Sequence, residues 1–141
     1  MKSTAWKLGI AGLIPFVMLP LMATLNVIEW YKAVDIFTLY SGLILSFLGG
    51  VHWYDALCGN PVKHQIYVAM LPSIIGLLAI TLLPYHFALK VLSLGFLLLI
   101  VYEQKVLSLP KESVIWYAKF RMVITSVVVV THGWVIIAIT H

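Results

Sequence analysis

Charge is what this chain has least of: 10% of its 141 residues are Asp, Glu, Lys or Arg, while 62% are hydrophobic. A soluble domain of this length needs many polar residues to cover its outside, so this composition excludes an ordinary water-soluble fold. Cysteine is scarce too. Cys58 stands alone, which rules out an intramolecular disulfide and cannot by itself supply a zinc or iron–sulfur centre. The chain also lacks a glycine-rich phosphate loop, a His-Glu-x-x-His pair, and any run of charges along an apolar stretch such as a voltage sensor or ion path uses. Ser41, Ser46, Thr125, Ser126 and Thr131 have no base at motif spacing. They read as hydrogen-bonding glue between helices, so catalysis has no motif behind it. The formal net charge of +4 comes from dispersed Lys and Arg without interleaved aromatics. No nucleic-acid partner is expected from that pattern.

What the chain does have is long apolar runs, with a mean hydropathy of +1.05. A bilayer core of about 30 Å takes roughly 20 helical residues to cross. Five stretches qualify: Trp6 to Leu25, Ile36 to Leu57, Ile66 to Leu83, Phe87 to Tyr102 and Arg121 to Thr140. The fourth is the shortest. The connecting segments hold Pro, Asn, Gly or charged residues suited to turns at the headgroups. The spacing predicts an all-α membrane protein, one domain over 1–141, forming a compact bundle of five transmembrane helices. Ser108 to Glu112, with Pro110, predicts the start of a short interfacial helix through Trp116 and Tyr117. Lys2 and Lys7 ahead of an apolar run resemble a secretory signal, but the run is longer than a usual signal core and reads as a retained span. An odd number of spans excludes a simple duplication of the whole chain.

Cytoplasmic loops carry excess Lys and Arg. With the N-terminus cytoplasmic, Lys2, Lys7, Lys63, Lys105, Lys111, Lys119 and Arg121 fall inside, and Lys32 and Lys90 outside. That assigns a multi-pass membrane protein with its N-terminus cytoplasmic and its C-terminus on the opposite side. Aromatics sort likewise, with Trp6, Trp53, Tyr54, Tyr67, Tyr102, Trp116 and Tyr117 at the inner interface. Trp30, Tyr31, Tyr40 and Tyr85 sort to the outer one.

Span two is the most informative. Gly42, Ser46 and Gly50 recur every four residues, with Gly49 beside them, and small residues at this spacing let another helix approach closely. This face packs either against a helix of the same chain or against a partner subunit. His52 lies one to two turns inside the inner end of the span, and Asp55 at i+3 can orient its imidazole. Glu103 and Arg121 end spans four and five at about the same depth, so His52, Asp55, Glu103 and Arg121 converge if those helices adjoin. Ionisable groups in a membrane are costly and face protein or water. The cluster is therefore a candidate ligand or proton site; the alternative is that the charges mark the membrane surface while His52 bonds a backbone carbonyl.

His132 sits about eleven residues into span five, near mid-membrane. Paired with His52 it suggests a haem with two axial histidines, but His52 lies closer to the inner surface. A quinone-like ligand or a hydrogen bond across the bundle are the other readings. The cofactor is left unassigned. Pro15, Pro20 and Pro72 each remove a helix hydrogen bond and can kink their spans.

The stretch Ser46-Phe47-Leu48-Gly49-Gly50-Val51-His52-Trp53 resembles a family of small multi-span membrane proteins of unknown function, bacterial and including the eukaryotic transmembrane protein sixty-nine group. The likeness extends to the opening run Leu8 to Phe16 and to Leu71-Pro72-Ser73. Tyr54 departs from it, standing where a small residue, usually glycine, is expected. The resemblance implies a compact inner-membrane fold with a mitochondrial counterpart in eukaryotes, and no established activity. Two functions follow as expectations. The first is a non-enzymatic protein acting by helix contacts, an accessory subunit or assembly factor of an inner-membrane complex, respiratory by the resemblance, with other membrane subunits or further copies as partners. The alternative is a protein that binds or transports a lipophilic ligand, a cofactor (quinone, haem) or a proton through a His52-centred polar cluster.

Overall fold

A computed structural model describes residues 2–108 and 111–140. Within them the chain forms seven helices: α1 (Lys2–Gly12), α2 (Ile14–Thr24), α3 (Trp30–Leu57), α4 (Gln65–Val68), α5 (Leu71–Leu82), α6 (Tyr85–Val106) and α7 (Lys111–Thr140). Five spans are long and apolar enough to cross a bilayer, because α1–α2 and α4–α5 are each one interrupted span. Proline explains both interruptions. Pro15 and Pro72 sit in the first turns of α2 and α5; with no N–H they cannot bond the carbonyl four residues back, so the helix restarts at each. Pro20 lies inside α2.

The spans are longer than hydropathy alone indicates. Helix α3 covers 28 residues and α7 covers 30, about 42 and 45 Å at 1.5 Å per residue. Both therefore exceed the hydrocarbon core. The third span, at 18 residues, is the shortest, not the fourth, which runs for 22. The expected interfacial turn through Leu109 and Pro110 lies outside the described residues. From Lys111 onward, Trp116 and Tyr117 belong to the continuous helix that becomes the fifth span. Arg121 is consequently well inside α7 and 2% exposed, so it leaves the set of surface cations that orient the chain. Tyr40 also moves inward: it is half-buried and donates to the Gly12 carbonyl at 2.7 Å.

Helix α3 is the most buried span and packs on α2, α4, α5 and α6, while α7 closes the ring against α6 and α2. The core runs along it through Val34, Phe37, Leu45 and Leu48, with Phe16, Leu89, Leu92, Phe96, Val128 and Val135 from the other helices. Its closest neighbour is α5. Gly42 lies on Gly76, where a Cβ would come within 3.3 Å of the Gly42 carbonyl oxygen, and Ser46 bonds Ser73 at 2.6 Å. A Cβ at Gly49 would meet the Ala69 carbonyl oxygen at 2.7 Å. The packing face is thus Gly42, Ser46 and Gly49, turned toward the same chain. Gly50 lies off it, exposed and with nothing within 4 Å of a built Cβ. At about 100° per residue, eight residues from Gly42 overshoot the face by about 80°, while seven miss it by only about 20°. Tyr54, four residues on from Gly50, is exposed as well, so a large side chain costs no packing there.

Candidate functional site

One end of the bundle collects the C-termini of α3 and α6 and the N-termini of α4 and α7. Sequence order alone brings polar side chains there. Two loop devices set the geometry. Gly59, at φ +99, ends α3 in a left-handed turn, a conformation glycine adopts without a Cβ penalty. The chain then doubles back, so Asn60 donates to Asp55 Oδ2 at 2.7 Å and to the Val106 carbonyl at 2.8 Å, and its own Oδ1 accepts from the Val62 amide at 2.9 Å. The Ser108 amide also donates to Asp55 Oδ2, at 3.0 Å. Asp55 is therefore the knot that ties the ends of α3 and α6 to the loop between α3 and α4.

Gln65, fully buried at the start of α4, carries the network inward. Its Nε2 donates to Asp55 Oδ2 at 2.8 Å and lies 3.1 Å from His52 Nδ1. A flipped amide would set its carbonyl oxygen against the carboxylate, so the amide nitrogen faces both partners and His52 Nδ1 accepts. The imidazole proton of neutral His52 then resides on Nε2. That atom faces Glu103 Oε1 at 3.7 Å. Glu103 Oε2 in turn accepts from Arg121 Nε at 2.9 Å, and Arg121 Nη1 donates to Thr125 Oγ1 at 3.2 Å. His52, Glu103 and Arg121 are each at most 4% exposed.

The four residues singled out from sequence do converge. Asp55 orients His52 through Gln65, not by the direct i+3 contact the spacing suggests. Gln65 and Asn60 are members that sequence reading missed, the one available signal being their place just after α3 and at the start of α4; Thr125, expected to join helices, instead accepts from Arg121 within α7. Three atoms of the ionic core have no hydrogen-bond partner among the described residues: His52 Nε2, Glu103 Oε1 and Arg121 Nη2. Unpaired buried polar atoms are rare and costly in native proteins.

His132 belongs to a second, separate site. Its Nδ1 donates to the Val128 carbonyl at 2.7 Å, leaving Nε2 to accept from the Ser41 hydroxyl at 2.6 Å. The ring packs against Phe16, Phe37 and Phe96. Both ring nitrogens are occupied, so this arrangement joins α3 to α7 and offers no axial ligand to a haem. From Ser41 to His52 is eleven residues of α3, about 16 Å along its axis, and the two histidines do not face each other.

Beside the ionic core runs a groove of about 460 Å³ between α1–α2, α3 and α7, walled by Leu8, Phe16, Leu48, Phe96 and Phe120 among other apolar side chains. Its polar wall is Arg121, Thr125 and Tyr117. Its size falls in the range of small-molecule sites. Gly9 lets α1 reach α7 here, because a Cβ at this position would run into the Phe120 ring.

A family profile described as "Protein of unknown function (DUF3429)" matches residues 1–137. No curated protein and no solved structure matches the chain.

Proposed function

The chain belongs to the DUF3429 family of proteins of unknown function, and from its site we propose that it binds a lipophilic molecule, its tail in the groove between the first, second and fifth spans and its polar head against Arg121. The observation that carries this reading is the apolar groove of about 460 Å³ whose wall includes Tyr117, Arg121 and Thr125. A concave, largely apolar space of this size with a few polar groups on its wall suits a lipophilic molecule with a small polar head. Behind it, Glu103 links Arg121 to the buried His52.

Less supports action by contact alone. The small-residue face of α3 is covered by α5 of the same chain and so is not a surface for another subunit. The orientation belongs to this proposal: Lys2, Lys7, Lys63, Lys105, Lys111 and Lys119 lie on the side of the ionic core and Lys32 and Lys90 on the other, so the core opens toward the cytoplasmic leaflet of the inner membrane.

Thermal unfolding of the purified protein, with and without a total lipid extract of its native membrane, tests the reading. Bound ligand stabilises the folded state by mass action. The extract is expected to raise the Tm of the wild type by about 2–4 °C per kcal/mol of binding stabilisation and to leave Gly12→Leu, which fills the groove, unmoved. Equal shifts in both, or none in either, would contradict it.

A further inference from the structure

The ionic core holds polar atoms that its own side chains leave without partners. His52 Nε2, Glu103 Oε1 and Arg121 Nη2 are sealed from solvent and unpartnered among the described residues, and the same is true of Gln65 Oε1. All four side chains are at most 4% exposed. Their kinds are complementary. The Gln65 amide nitrogen is turned to Asp55 and to His52 Nδ1, which puts the imidazole proton on Nε2; His52 and Arg121 therefore offer donors while Glu103 and Gln65 offer acceptors. They also sit together. His52 Nε2 faces Glu103 Oε1 at 3.7 Å, too long for a direct hydrogen bond and within reach of one small molecule that touches both. Arg121 Nη2 is on the guanidinium whose Nε is 2.9 Å from the other oxygen of that carboxylate, and Gln65 Oε1 is on the amide whose nitrogen is 3.1 Å from that imidazole.

Two donors and two acceptors restrict what fits. An anion suits His52 and Arg121 but is repelled by the Glu103 carboxylate; a cation suits Glu103 and Gln65 but is repelled by the Arg121 guanidinium. Arg121 and Glu103 already balance each other, so either ion would add an uncompensated charge in a low-dielectric site. Water meets all four groups, accepting twice and donating twice, and buried water characteristically bonds polar groups that the protein leaves unsatisfied.

We propose that the ionic core is a binding site for an internal water molecule, which accepts from His52 Nε2 and Arg121 Nη2 and donates to Glu103 Oε1 and Gln65 Oε1. The water joins α3, α4, α6 and α7 at one point. It is sealed from the groove and does not depend on a ligand there.

His132 supplies the control. It is as buried as His52, both at 0% exposure, but both its ring nitrogens are occupied by protein groups. X-ray radiolysis of the full chain in detergent produces hydroxyl radicals from water where the water lies, so oxidation mapped by mass spectrometry reports water beside a buried side chain. His52 is expected to be oxidised and His132 to stay unmodified. Equal modification of the two, including none of either, overturns the proposal. Crystals of the full chain grown in sodium bromide and in rubidium chloride identify the occupant. Density within about 2.7–3.2 Å of His52 Nε2, Glu103 Oε1 and Arg121 Nη2, without anomalous signal from either ion, is expected. A bromide or rubidium peak would make this an ion site, and His52 Nε2 closed onto Glu103 Oε1 with nothing between them would make it a direct bond; either result overturns the proposal.

Discussion

Arg121 Nε donates to Glu103 Oε2 at 2.9 Å, with both side chains at most 3% exposed and borne on α7 and α6. Removing one partner of such a pair leaves a bare charge in a medium that cannot solvate it, at about 3–5 kcal/mol, whereas replacing both with apolar groups is often neutral. Arg121→Met and Glu103→Leu are each expected to destabilise the bundle by that amount. The double variant should be no less stable than either single one. Equilibrium unfolding in mixed micelles, arranged as a double-mutant cycle, checks it.

Gly49 and Gly50 are neighbours with opposite expectations. Gly49→Ala drives a methyl into the Ala69 carbonyl oxygen, which is backbone and cannot step aside, so a loss of about 1–3 kcal/mol is expected. Gly50→Ala meets nothing within 4 Å and should be neutral or gain up to about 1 kcal/mol from helix propensity. The same unfolding assay separates them.

Ser41→Ala takes the donor from His132 Nε2 in a fully buried setting and is expected to cost about 1–3 kcal/mol. The ionic core is about 16 Å away along α3, so the effects of Ser41→Ala and Glu103→Leu should add within about 0.5 kcal/mol.

Asp55 gathers three donors on one oxygen, from Asn60, Gln65 and Ser108. In Asp55→Ala the Ser108 amide loses its acceptor, and hydrogen exchange there is expected to accelerate while amides in the middle of α3 keep their wild-type protection.

Cys58 is exposed, is the chain's lone cysteine and lies at the end of α3 nearest the ionic core. With that end cytoplasmic, a membrane-impermeant maleimide should label inverted membrane vesicles and spare intact cells. The opposite pattern would reverse the orientation.

The five spans were legible because hydropathy over about 20 residues is a strong signal. Their ends were not, since Trp30 to Asp35 and Lys111 to Phe120 carry charges and aromatics that read as loop although the helices continue through them. The meeting of His52, Asp55, Glu103 and Arg121 could be read from their shared depth. The route between Asp55 and His52 could not, because it depends on Gln65, an uncharged residue whose burial follows only from where α4 begins after the Gly59 turn. A strict four-residue repeat puts Gly50 on the packing face because it ignores the drift of a 3.6-residue helix. The groove was invisible in sequence, being made by residues far apart in the chain whose only shared property is that they are apolar.

Mass spectrometry of the intact particle gently released from its native membrane decides whether the apolar groove beside Arg121 holds a ligand. One lipophilic molecule per chain is expected, lost in Gly12→Leu. A bare chain, or one in fixed ratio with other membrane subunits and free of any small molecule, would contradict it.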